Sequence, residues 1–230
     1  MKILAIGDPH LENLQKMVER FHYPPDYIEQ VARNLTSESP PADLLLIAGD
    51  LVWGNDFTAV LEELQTLQAF QAENICFIEG NHDWPWLPKI SKMHELFNSP
   101  NFYFLSGRTF VLENVGICGA CGTNRESTRK ARELSLLQKS LRELASKDFD
   151  IGICLMHFPP CSQVFHNPEV SFAEDDFFAL IEESSIINKV VYGHIHKDQQ
   201  FKINLNLKLD GIELYNTAID YYDWQPVRIL

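Results

Sequence analysis

The sequence predicts an α/β chain in which two mixed sheets pack against each other with helices outside. Three observations carry this. Apolar runs such as Leu44 to Ala48 and Ile151 to Met156 end at Gly, Asp or a polar loop residue, as strands buried on both faces do. Stretches of helical period alternate with these runs. Short β-like segments between 102 and 118, and a β-rich tail, supply material for a second layer.

Taken in order, Lys2 to Ile6 reads as the first strand. The connection from 11 to 43 is long for a link between two strands. Within it Leu11, Leu14, Val18 and Phe21 recur at helical spacing, and Tyr27, Ile28, Val31 and Leu35 do so again after Pro24-Pro25. This predicts a helical insertion of two helices beside the strand ends. Leu44 to Ala48 is the second strand, and Phe57, Val60, Leu61, Leu64 and Leu67 mark a helix from Phe57 to Gln71. Ile75 to Glu79 follows as a strand. Phe102 to Leu105, Thr109 to Glu113 and Gly116 to Cys118 read as short β segments that begin the second sheet, with Glu113-Asn114 as a tight turn. Leu134, Leu137, Leu141 and Leu144 give a helix of about Ser127 to Lys147, before the strand Ile151 to Met156. Ser171-Phe-Ala-Glu174 is a capping-box pattern for a helix reaching about Glu183. The acidic first turn, Glu174 to Asp176, suits the positive end of the helix dipole. Lys189 to Tyr192, Gln200 to Asn206 and Ile212 to Asn216 complete the β segments.

A chain of 230 residues fits one domain, 1–230, with a large core. Its net charge of −13 opposes any broad phosphate-tracking surface, so long DNA or RNA is a disfavoured partner. The apolar stretch from Met1 to Ile6 is too short for a signal peptide, and no window approaches the roughly 20 apolar residues that span a bilayer. A cytoplasmic protein with no membrane partner is expected. The five cysteines are odd in number and read as reduced. Cys118-Gly-Ala-Cys121 lacks the second ligand pair that a zinc site needs, so it reads as a Gly-rich turn after a strand.

Five short motifs gather side chains of the kinds that hold metals: Gly7-Asp8-Pro9-His10, Gly49-Asp50, Gly80-Asn81-His82-Asp83, His157, and Gly193-His194-Ile195-His196. Four follow an apolar strand and open the loop at its carboxyl end, where open α/β sheets place ligand sites. Neighbouring strands lie about 4.8 Å apart, so several such loops can reach one point. Carboxylate, imidazole and amide oxygen together suit Mn, Fe, Zn or Ni better than the all-oxygen shells of Ca or Mg. A carboxylate can bridge two metals, and a pair about 3.5 to 4 Å apart acidifies a shared water. The roughly four positive charges of such a pair invert the field inside one cleft, which makes a small phosphate ester compatible with an acidic chain.

The order D-x-H, G-D, G-N-H-D, H, G-H-x-H resembles the signature of the calcineurin-like metallophosphoesterase superfamily, and it spans residues 8 to 196. The resemblance implies a four-layer α/β/β/α sandwich and a phosphohydrolase that uses a metal-activated hydroxide on a phosphomonoester or phosphodiester. It implies two divalent metal ions, with Mn first and Fe, Zn or Ni as alternatives. Asp8, His10 and His196 match ligands of one metal, Asn81, His157 and His194 ligands of the other, and Asp50 the bridging carboxylate. His82 matches the catalytic histidine that serves the leaving oxygen, with Asp83 orienting it. His157-Phe-Pro-Pro160, Tyr192-Gly-His-Ile-His196 and the closing Asp210-Gly-Ile, Ala218-Ile-Asp220-Tyr221 and Trp224-Gln-Pro226 resemble a small group of bacterial predicted phosphohydrolases. Gly49-Asp50 lacks the further acidic residue that some superfamily members carry a few positions on.

Three further residues are weaker candidates for touching substrate. Arg125 lies in the densest basic stretch, with Arg129, Lys130 and Arg132, which reads first as a solvated helix face and second as a phosphate clamp. Trp84 follows a metal motif in company with Trp53, Pro85 and Trp86, where core packing competes with stacking on an aromatic leaving group. His166 lies close after the His157 loop, whereas His22 and His94 match nothing. The rival readings are a nuclease or protein phosphatase of the same fold, and an inert scaffold for protein contacts. No oligomeric state is read from the sequence.

Overall fold

The computed structural model describes residues 1–11, 14–37, 40–52, 70–83, 101–124, 128–167, 175–197 and 201–230. Its strands form two mixed sheets. In the first, β1 (Ile3–Ile6) runs parallel to β2 (Ala42–Ala48), β2 to β3 (Ala72–Ile78) and β3 to β4 (Phe102–Phe104). The short β11 (Val227–Arg228) closes the β1 edge in the antiparallel sense. In the second, β5 (Thr109–Leu112) and β6 (Val115–Gly119) form a hairpin, and β6 continues in parallel with β7 (Ile151–Leu155), β8 (Lys189–Tyr192) and β10 (Ile212–Asn216). β9 (Asn206–Leu209) lies antiparallel on β10.

Alternation along each strand explains how the layers stack. Leu44, Leu46 and Ala48 of β2 meet Ile117, Ile153, Leu155 and Val191 of the second sheet, while Leu45 and Ile47 face the other way. There they pack on Val31 and Leu35 of α2 (Tyr27–Ser37), which follows α1 (Leu14–Phe21). The outer face of the second sheet, with Cys118, Cys154, Val190 and Tyr192, is covered by α3 (Thr128–Leu144) and α4 (Asp175–Ser184) through Leu137, Leu141, Phe177 and Ile181. The result is helix, sheet, sheet, helix. Each buried Leu or Ile contributes about 1.5 to 3 kcal/mol relative to an exposed one. Among the described residues no helix is long and apolar enough to cross a membrane.

The register aligns the functional ends. Ile6 sits opposite Ile47 and Ala48 opposite Ile78, so the loops that follow β1, β2 and β3 leave the first sheet at one edge. Leu155 opposite Val191 does the same for β7 and β8.

Two expectations are corrected. Phe102–Phe104 does not begin the second sheet; it extends the first one beside β3, and the second begins at Thr109. The tail strand expected over Gln200 to Asn206 lies at Asn206–Leu209 instead, because Asp210 (φ 49°) and Gly211 (φ 88°) make a two-residue turn that pairs it with β10. The Glu113-Asn114 turn forms, with Glu113 at φ 51°. Of the helix expected over 57–71, residues 57–69 fall outside the described residues, and Phe70 and Gln71 lead into β3 without helix; the Ser171 to Glu174 capping box, Trp84 and Arg125 also fall outside.

Candidate metal centre

The loops at these strand ends turn sharply inward. Asp8 (φ 56°), His10 (φ 41°), Asp50 (φ 50°) and His194 (φ 71°) all adopt the left-handed region that L-residues avoid. Such positions cost of order 1 kcal/mol or more each and persist only where the surroundings over-determine them. Here the loops brace one another: Asp8 N–H donates to the Gly49 carbonyl at 3.1 Å, His10 N–H to the Asp50 carbonyl at 3.0 Å, and Gly193 N–H to the His157 carbonyl at 3.1 Å. Close approach also demands glycine. A Cβ on Gly80 would collide with Asp50 Oδ1, and one on Gly193 with Asp8 Oδ2.

The side chains so delivered form one buried cluster. Asp8, His10 and His196 offer ligand atoms within 4.8 Å of one another, and so do Asp8, Asp50 and His157. His157 Nδ1 lies 3.0 Å from the Ala48 carbonyl, which can only accept, so the ring proton belongs on Nδ1. In the neutral ring Nε2 then aims its lone pair at Asn81 Oδ1 (2.9 Å) and Asp50 Oδ1 (3.5 Å), beside His194 Nδ1 (3.1 Å). Oxygens and a nitrogen lone pair converge on one point, an arrangement that a second ring proton or a cation reconciles. Asp50 Oδ2 faces the other side, 3.9 Å from both His10 Nε2 and His82 Nε2. Around a cation bound at about 2.1 Å, ligand atoms stand roughly 3 to 4 Å apart, so the donor set fits a metal.

Electrostatics sort the groups. Burial pushes the Asp8 carboxyl up to about 6, partly countered by His196 and His157. Burial would raise Asp50 as well, but the His157, His10 and His82 imidazoles outweigh it and hold that carboxyl below the usual range. Burial keeps His10 and His194 well below the ordinary histidine value, hence neutral. For His196 burial is outweighed by the Asp220 hydrogen bond and by the charges of Asp8, Asp220 and Asp50, which lift it to about 9.

The structure thus brings together Asp8, His10, Asp50, Asn81, His82, His157, His194 and His196. Asp83 is buried nearby, but its carboxylate accepts the backbone N–H of Gly80 (2.6 Å), Val52 (3.0 Å) and Leu51 (3.2 Å). These bonds tie the loop after β2 to the loop after β3, on the segment that carries His82. The His82 N–H donates to Asp50 Oδ1 at 2.9 Å. His166 is exposed and meets Asn204 Oδ1 at 3.2 Å.

Sequence reasoning gave no role to Tyr23 and Asp220, whose polar atoms lie 3.0 and 3.4 Å from His196 Nδ1. The only signal was that Asp220 lies in the closing segment that carries the subgroup resemblance. It also left out Glu79, buried directly before Gly80 and held by the Ser106 hydroxyl at 2.9 Å.

Against known sequences, the model of one family, calcineurin-like phosphoesterase, matches residues 1–198. The chain belongs to the calcineurin-like phosphoesterase family. As a member it is a hydrolase of phosphoric ester bonds. Among curated proteins none matches. Among solved structures, the calcineurin-like chain is similar to TT1561 of Thermus thermophilus, with a TM-score of 0.62 at 11% identity over 99% of this chain and 97% of that one. Purple acid phosphatase PPD1 from yellow lupin aligns with a TM-score of 0.58 at 15% identity, over 96% of this chain and 44% of its own length. A putative 5'-nucleotidase from Staphylococcus aureus aligns with a TM-score of 0.54 at 14% identity, over 94% and 48%. At these identities the likeness is one of fold.

Proposed function

We propose that this phosphoesterase is a dinuclear-metal phosphohydrolase acting on a small phosphomonoester or phosphodiester. Asp8, His10 and His196 would hold one divalent cation, Asn81, His157 and His194 the other, with Asp50 between them. The observation that carries the reading is that the Asp50 oxygens divide: Oδ1 lies 3.5 Å from His157 Nε2 and Oδ2 lies 3.9 Å from His10 Nε2. When bound, such a pair supplies Lewis acidity toward the phosphoryl oxygens and acidifies a water for attack. Manganese is the first choice, and iron, zinc or nickel are chemically compatible.

The chain's own residues then divide the work. His82 has a side chain 29% exposed, against 0% for His10 and His157 and 5% for His196. Within the cluster His82 and His194 are the partly exposed imidazoles. Of the two, His82 is the one not assigned to a cation, so it would give a proton to the departing oxygen. Asp83 fixes the backbone from which His82 projects. The acidic chain, at −13, disfavours long nucleic acid, and the five cysteines, all free and buried, suit a reducing cytoplasm. We read residues 1–230 as one domain.

The test is metal analysis of the purified protein, followed by a manganese-supplemented screen of phosphomonoesters, cyclic nucleotides and bis-aryl phosphodiesters. Two divalent ions per chain and chelator-sensitive hydrolysis are expected. A protein that binds no divalent ion and hydrolyses none of these esters overturns the reading.

A further inference from the structure

His196 is gripped from behind by two elements far apart in sequence. Its Nε2 points into the cleft, 3.8 Å from Asp8 Oδ1. Its Nδ1 faces the Tyr23 hydroxyl at 3.0 Å and Asp220 Oδ2 at 3.4 Å. The same Asp220 oxygen accepts the Lys197 N–H at 2.9 Å, and the Tyr221 hydroxyl donates to the His196 carbonyl at 3.2 Å. One short 3-10 turn, Ile219–Tyr222, therefore holds the ring, the carbonyl and the next amide. Tyr23 arrives from the link between α1 and α2, buried edge-on to Trp224 at 4.6 Å and to Tyr27 at 5.1 Å between ring centroids. Phe21 covers the face of the same imidazole at 4.7 Å. The family match ends at residue 198, so Asp220, Tyr221 and Trp224 lie beyond it.

We propose that Asp220 and Tyr23 are positioning residues that fix His196 with its ring proton on Nδ1, leaving Nε2 free to bind a cation. The inference rests on the dinuclear reading of the site. The Asp220 carboxylate can only accept, so Nδ1 carries the hydrogen that faces it and the Tyr23 hydroxyl oxygen accepts on the same side, which makes Nε2 the nitrogen that gives up its proton when a cation enters the cleft. A carboxylate behind an imidazole also raises the basicity of the far nitrogen and restrains the ring. Rotamer freedom that a loose histidine would lose on binding is lost here during folding instead.

The experiment is a calorimetric titration of metal-free protein with Mn2+, repeated with Co2+ while its visible ligand-field bands are followed. The wild type should take up two equivalents. Asp220→Ala should weaken one equivalent by about 10- to 100-fold and shift its Co2+ bands, with the other equivalent unchanged. Asp220→Asn, which keeps an acceptor oxygen, should recover part of that loss. Tyr23→Phe keeps the packed ring and should weaken the same equivalent several-fold; it decides the matter if Asp220→Ala does not fold. A merely structural Asp220 would lower the melting temperature and leave the ratio of the two affinities unaltered, which overturns the inference. Wild-type affinities in both Asp220→Ala and Tyr23→Phe overturn it too, while a wild type that still binds two ions and cleaves esters leaves the dinuclear reading standing. A wild type that binds no divalent ion overturns both.

Discussion

Asp8 accepts the backbone N–H of His194 with both carboxylate oxygens, at 3.2 and 2.9 Å, across 186 residues of sequence. The contact joins the loop after β1 to the loop after β8, and hence the first sheet to the second. It depends on Gly193, where any Cβ would strike the Asp8 carboxylate.

Gly193→Ala should therefore open this joint. The expected loss is about 2 kcal/mol, typical of steric disruption in a packed site, or roughly 4 to 8 °C in melting temperature for a chain of this size. Metal uptake should fall with it. Differential scanning calorimetry and metal analysis on one preparation read both.

Asp8→Asn and His157→Ala should deplete bound metal and activity together, because each residue belongs to a group of converging ligand atoms. Elemental analysis of the purified variants checks this, and full metal content in either one would remove that residue from the centre.

His82→Ala should keep its metal and lose roughly a hundredfold or more in kcat on esters with poor leaving groups. On a good leaving group, which needs no proton, the loss should be small. Equal losses on both would assign the imidazole to something other than leaving-group protonation.

Asp83→Ala makes the opposite separation. Three backbone donors would lose their acceptor inside the protein. A cost of about 3 kcal/mol follows from buried unsatisfied groups, or roughly 6 to 12 °C in melting temperature. Thermal melts should register the change whether or not metal is present.

Glu133 supplies a pH prediction. Burial first and the neighbouring Glu79 charge second push its carboxyl from 4.5 up to about 8, against Arg132 and Arg129. Between these values the unfolded chain has released the proton and the folded chain has kept it, so stability declines as pH rises from about 4.5 to 8. Glu133→Gln cannot ionise. Its melting temperature should exceed that of the wild type at pH 8 and approach it at pH 5, and parallel curves would show that Glu133 is ionised in the folded protein.

Sequence pattern revealed the strands that end at the cluster because each closes on Gly or a polar turn, as at Ala48-Gly49-Asp50 and Tyr192-Gly193-His194. It could not assign Phe102–Phe104 to a sheet, since three apolar residues carry no record of which neighbour they pair with. Asn206–Leu209 was legible in principle, from its alternation and the Asp210-Gly211 turn, but the apolar residues of the preceding segment drew the assignment upstream. The roles of Tyr23 and Asp220 had no local signature, because a phenol and a carboxylate become partners of His196 only through tertiary packing. The bonds from the Asp83 carboxyl to the Leu51 and Val52 amides had no local signature either, because those residues sit on the preceding loop and meet it only in the fold.

The bond from His157 Nδ1 to the Ala48 carbonyl has a consequence for biosynthesis. One partner belongs to the loop after β7 and the other to the end of β2, so no early portion of the polypeptide contains a finished cleft. A complete cleft exists only once the two layers have docked, so on the proposed reading metal binding is coupled to the folding of both sheets together.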